Sequence, residues 1–213
     1  MAKKVIKENK ENKESRKAAF IERFAAVFID ILLIGFLAAL ITTPFMKNNT
    51  NYEKLAKEQE QVMKDYNDKK IDMNTYFNKA SDINYDISKE TGLLTIVTIF
   101  LYSGYFIVFQ ALNKGQTLGK KLFRIRVVKE NDDYLSMNEM MFRSLIINSI
   151  LIDIIVLCFV LFASKNGYMY GTMVFEGINY LFIIISVFMI IFRKDKKGLH
   201  DLIIKSKVIK EEV

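Results

Sequence analysis

Four stretches of this chain are apolar for close to the roughly 20 residues that an α-helix needs to cross a bilayer. They cover residues 18–43, 93–112, 145–163 and 173–192. Four such runs in 213 residues leave little room for any other architecture. The expected fold is an all-α membrane protein, a four-helix transmembrane bundle. The first run is too long for a cleavable signal peptide, and TTPFMKNN behind it offers no small-residue cleavage site.

The formal charge of +7 is compatible with nucleic acid or with an anionic membrane surface. The charges flank the apolar runs, so the lipid bilayer is the expected partner and nucleic acid is not. Lys3, Lys4, Lys7, Lys10, Lys13, Arg16 and Lys17 precede the first run. Lys114, Lys120, Lys121, Arg124, Arg126, Lys129 and Arg143 follow the second, and Arg193, Lys194, Lys196 and Lys197 follow the fourth. The connection between the third and fourth runs has only Lys165. Basic connections stay on the cytoplasmic side, which places both termini inside a cell membrane. Residues 1–17 then form a basic cytoplasmic tail, 44–91 an extracytoplasmic insertion and 210–213 a short C-terminal tail. The single cysteine, Cys158, has no partner for an intrachain disulfide and reads as a small buried apolar residue. Abundant Lys, Ile and Asn point to an AT-rich bacterial genome.

The outer segment is rich in helix formers. Leu55, Val62 and Tyr66 recur at helical spacing, and Asp72 is placed to cap a second helix starting at Met73, giving a helical hairpin. The inner connection has a different period. In LFRIRVVK, Phe123, Ile125 and Val127 alternate with Arg124 and Arg126, as in a half-buried strand. LIIKSKVIK supplies a second strand, so a small cytoplasmic β element joining 122–128 to 202–209 is expected. Ser136 and Glu139 have capping-box spacing, which predicts a helix from Met137 continuing into the third span.

Charged side chains inside the apolar runs are the candidate functional residues. Asp30 lies within the first run, two helical turns and about 10 Å beyond Arg23. An aspartate near a helix centre costs roughly 2.5–3.5 kcal/mol on insertion, so it should face protein or water. It is either a structural pairing group, with Arg143 the candidate partner, or an ion- or proton-binding site. Arg23 is either part of that site or a positive anchor snorkelling to headgroups. Asp153 lies halfway along the third run, where Asn148 and Ser149 could extend a polar stripe below it, and the same two roles are open to it. Glu176 reads as interfacial, and His200–Asp201 as a structural hydrogen-bonding pair.

Enzyme signatures are lacking. GQTLGKK has neither the spacing of a phosphate loop nor its terminal Ser/Thr. One histidine cannot support a multi-histidine zinc site, and no hydrolase or transferase constellation stands out. No cofactor or metal is expected.

Arg23, Asp30, GQTLGKKLFRIRVV, Arg143 and KKGLHDLIIKSKVI, in that order, resemble the RDD family of bacterial integral membrane proteins. The family is named for an arginine and two aspartates, matched here by Arg23, Asp30 and Asp201. The resemblance covers 16–43 and 92–209. It implies a polytopic protein assisting transport of a small ion or solute, with cation–proton exchange as the concrete version and Na⁺, K⁺ or H⁺ as the ions. Asp30 would then be the carrier, assisted by Asp153, with Arg23, Arg143 and Asp201 at an inner gate and a homodimer supplying the walls. Asp153 and Glu176 lie outside the family pattern. The alternative is a non-transporting assembly or signalling protein that binds a partner through the outer hairpin or the cytoplasmic face.

Overall fold

The computed structural model describes residues 17–47 and 49–211, so the lysines expected to form the N-terminal tail, Lys17 apart, lie outside the described residues. The elements in chain order are α1 (Phe20–Lys47), α2 (Thr50–Asn67), α3 (Met73–Glu90), α4 (Gly92–Leu112), α5 (Leu118–Leu122), β1 (Ile125–Lys129), α6 (Met137–Ile147), α7 (Ile150–Phe162), α8 (Lys165–Phe192), α9 (Leu199–Ile203) and β2 (Ser206–Lys210). Helices α1, α4 and α8 are each long and apolar enough to cross a membrane. Their exposed faces carry residues such as Phe28, Phe36, Phe100 and Ile184, as surfaces meeting hydrocarbon should.

The third apolar run departs from expectation. It is not one helix continuing from Met137. Helices α6 and α7 meet at 67°, and only as a bent pair do they make a fourth span. The cause lies in Asn148 and Ser149, read above as a polar stripe. Asn148 caps α6 by donating its N–H to the Ser144 carbonyl, and Ser149 takes a left-handed φ of +57°, which no α-helix continues through. The fourth helix also begins earlier than expected, at Lys165, absorbing most of the presumed connection. Cys158, expected to be buried, is exposed on α7.

The chain divides into two compact units. The first comprises Met1–Gly35, Tyr102–Ile150 and Tyr180–Val213, and the second Phe36–Leu101 and Leu151–Asn179.

In the first unit, β1 and β2 pair antiparallel with Val127 opposite Val208, but the strands are shorter than the expected 122–128 and 202–209, because Leu122 ends α5 and Leu202 and Ile203 belong to α9. The alternation holds only at Ile125 and Val127, since Phe123 precedes the strand and Val128 is buried too. Ile125, Val127 and Val208 join Ala18, Ala26, Leu135 and Met140 in one apolar core. Ala18 donates its N–H to the Val208 carbonyl (3.1 Å), tying the entry of α1 to β2. The capping box forms as its spacing implies. Ser136 Oγ accepts the Glu139 N–H, and the Glu139 carboxylate accepts the Ser136 N–H (2.8 Å). Within α4, Gly104–Phe109 is π-helical, and the consecutive residues Tyr105, Phe106 and Ile107 are all buried. Ser144 of α6 donates to the Phe106 carbonyl (2.7 Å), fastening α6 to this segment.

The second unit contains the hairpin. Asp72 caps α3 by accepting the Thr75 N–H (2.7 Å), and Tyr66 stacks on Tyr76 at 4.8 Å between ring centres. Tyr85 is buried against Val160 and Tyr168, and its hydroxyl donates to the Ala163 carbonyl (3.3 Å). Lys165 pairs with Asp86 (2.6 Å).

Candidate functional site

Asp30 is completely buried (0 % exposed) in the first unit, and protein surrounds it. Its Oδ1 accepts the Tyr105 hydroxyl (2.6 Å) and the Gly119 N–H (2.8 Å), and its Oδ2 accepts the Thr117 hydroxyl (2.5 Å). These donors are themselves engaged. The Leu118 N–H donates to Tyr105 Oη (3.0 Å), and the Lys120 N–H to Thr117 Oγ1 (3.3 Å), as an N-cap requires. The GQTLGKK turn is thus a cradle for a carboxylate supplied by the protein itself. Two glycines make the close approach possible. A Cβ on Gly119 would lie 2.1 Å from the Ala26 carbonyl oxygen, and Gly115, at φ +87°, would place one 2.2 Å from the Val127 carbonyl oxygen.

The partner expected for Asp30 belongs elsewhere. Arg143 Nη2 donates to Asp201 Oδ1 (3.1 Å), while Arg23 Nη1 donates to Asp201 Oδ2 (3.0 Å). Arg23 therefore does not snorkel outward to the bilayer surface: it turns inward to a carboxylate that is 0 % exposed. The reason is local. Arg143 shares the buried face of α6 with Met140 and Ser144, and the oxygens of Asp30 are already filled by neutral donors. Ser206 Oγ (3.1 Å) and the Gly198 N–H (3.3 Å) complete the Asp201 shell. Burial alone would raise the Asp201 pKa, but Arg143, with His200 and Arg23, holds it well below the usual carboxylate range.

His200 lies beside this cluster, its Nε2 3.4 Å from Asp201 Oδ1. Its closer partner is one that sequence reasoning missed, Ser186 of α8, whose Oγ is 2.8 Å from His200 Nδ1 and accepts the Leu199 N–H (2.9 Å). With the proton on Nε2, Ser186 donates to Nδ1 and the whole chain is satisfied. Burial pushes the His200 pKa down to about 3, so the ring is neutral at physiological pH.

A cavity of about 420 Å³ adjoins these groups, wholly within the first unit. Its walls include Arg23, Lys120, Arg143 and His200 but no carboxylate, and the rest is mostly apolar. Burial lowers the Lys120 ammonium to about 7, and Arg143 pushes the same way against Asp30 and Asp201. The Nε atoms of Arg23 and Arg143 are buried without an acceptor.

Of the five residues singled out for the site, Arg23, Asp30, Arg143 and Asp201 are in the first unit. They form two separate shells, not one. Asp153 is in the second unit, exposed on α7, and Glu176 is exposed on α8. Tyr105, Thr117, Lys120 and Ser206 were missed. Only Thr117 carried a sequence signal, as a capping residue ahead of LGKK. The RDD family model matches residues 17–205, and no curated protein and no solved structure matches the chain.

Proposed function

The chain belongs to the RDD family, and we propose a multi-pass protein of the bacterial cell membrane that binds a partner and does not carry ions, with its family acids as structural locks. Both termini are cytoplasmic in this reading, because the basic connections after α4 and α8 obey the positive-inside rule. The hairpin α2–α3 is then extracytoplasmic.

One observation carries the preference for binding over ion exchange. Asp30 is engaged at both oxygens by three donors of the protein, and no basic side chain pairs with it among the described residues. Such a shell occupies the positions that a carried cation would need. Asp201 is committed in the same way, to two arginines. Cation–proton exchange remains as the second reading, and Asp153 favours it. Asp153 sits in the first turn of α7, just past the break, and not in mid-helix. A carboxylate exposed beside so apolar a helix needs water, an ion or a second copy of the chain next to it.

Purified protein in liposomes under a pH gradient, with Na⁺ or K⁺ added, tests the choice. The proposal expects no cation-dependent proton flux from wild type or from Asp30→Asn. It also expects the variant to be destabilised by about 2–3 kcal/mol, since an amide NH₂ at the Oδ2 position cannot accept the Thr117 hydroxyl and one buried bond of the shell is lost. Flux in wild type that vanishes in a folded Asp30→Asn protein overturns it.

A further inference from the structure

We infer that the cavity of the first unit is a binding site for one anionic phospholipid, with the phosphate at Arg23, Lys120 and Arg143 and an acyl chain along the apolar wall. This goes beyond the structural role of the carboxylates and does not depend on whether ions are carried.

Three features carry the inference. First, the charges do not balance at the wall. Three cationic side chains line the cavity, while Asp30 and Asp201 lie outside its lining. Counting those two acids, one positive charge is left over whenever Lys120 is protonated, which a phosphodiester would match. Second, the donors are underused. A guanidinium presents five N–H groups. Arg23 and Arg143 each donate through one terminal nitrogen to Asp201, and their Nε atoms have no acceptor. Lys120, 8 % exposed, joins no ion pair among the described residues. Buried cations left this way are costly unless an anion completes them.

Third, the remainder of the cavity selects the source of that anion. Phe24, Val27 and Ile31 of α1 and Phe182 and Val187 of α8 form its apolar wall. Phe24 and Ile31 are also exposed on the outer face of a membrane-spanning helix. The cavity mouth is therefore bordered by residues that meet hydrocarbon, and a lipid can enter sideways with its tail leading. Free phosphate would gain nothing from such a wall.

Lys120 gives the binding a pH signature. The groups acting on it are Arg143 and Arg23, which repel its proton, and Asp30 and Asp201, which favour it. With its pKa near 7 in the empty site, an anion is bound most tightly below pH 7 and must take up a proton above it. Affinity for the lipid falls as pH rises from 7 to 9.

The full chain in neutral detergent can be titrated with phosphatidylglycerol, with phosphatidylcholine of the same acyl chains, and with inorganic phosphate. Native mass spectrometry and the melting temperature give the readouts. One phosphatidylglycerol should be retained and should raise the melting temperature, while phosphatidylcholine and inorganic phosphate do neither. Lys120→Gln should bind about tenfold more weakly, the loss of one charge-assisted contact, and lose the pH dependence. Val187→Trp should block the tail with the cations intact. Equal retention of phosphatidylcholine, equal stabilisation by inorganic phosphate, or unchanged binding by both folded variants overturns the assignment.

Discussion

At the scale of single residues, the first unit is organised by acceptors that protein donors fill. Gly119 is the tightest case, because its neighbour at 2.1 Å would be the backbone oxygen of Ala26 and not a flexible side chain. Gly119→Ala cannot be accommodated unless α5 moves away from α1, which also loosens the Asp30 shell. It should cost about 3 kcal/mol, the upper end of overpacking, read as the loss in a detergent melt. His200 makes a pH prediction with a definite sign. Its folded pKa of about 3 lies below the ordinary 6.5, so the unfolded chain binds the proton first. Stability is fully present above pH 6.5 and is lost as pH falls towards 3, by up to about 1.4 kcal/mol per pH unit. The share of the slope between pH 6.5 and 5 that belongs to His200 is the part that His200→Gln removes, so melts of the variant should lose less stability over that range than wild type. A slope unchanged in the variant would assign it elsewhere.

Among the elements, the helical hairpin depends most on a few contacts. Helices α2 and α3 are polar, and α2 has no buried residue, so the hairpin is fastened largely through Tyr85. That ring meets Tyr168 edge-on at 5.3 Å, and Ser88 Oγ lies 3.0 Å from the Tyr168 hydroxyl. Tyr85→Ala should remove about 3–5 kcal/mol from this attachment. Trypsin would then cut at hairpin lysines such as Lys57 and Lys64 faster than in wild type, while the first unit resists as before. Equal cutting rates would show that the hairpin is held by other contacts. The hairpin was legible in the sequence because a cap at Asp72 and a helical period are local signals. The two strands and the capping box at Ser136 were legible for the same reason. The break between α6 and α7 was not, because the apolar period runs through Asn148 and Ser149 and only the backbone angle at Ser149 betrays it.

Across the whole molecule, sequence identified which charges are exceptional, and the family resemblance grouped Arg23 and Arg143 with Asp201, but nothing in it pointed to the donors around Asp30. Tyr105 and Thr117 are 75 and 87 positions from Asp30, and Tyr105 lies within a π-helical segment that no simple period announces. Arg23 and Asp201 are 178 positions apart. The apolar length of α1 made Arg23 look like an interfacial anchor. In the folded chain the N-terminal, central and C-terminal stretches of the first unit converge on one carboxylate. The central claim is that these buried charges hold the fold as a set. It is tested most directly by comparing the thermal stability of Asp201→Asn with that of the triple variant Arg23→Met/Arg143→Met/Asp201→Leu. The single change leaves two buried guanidiniums uncompensated and should cost about 3–5 kcal/mol, whereas the triple variant, which removes the charges together, should recover most of that loss. A triple variant as unstable as the sum of its single substitutions would contradict the account.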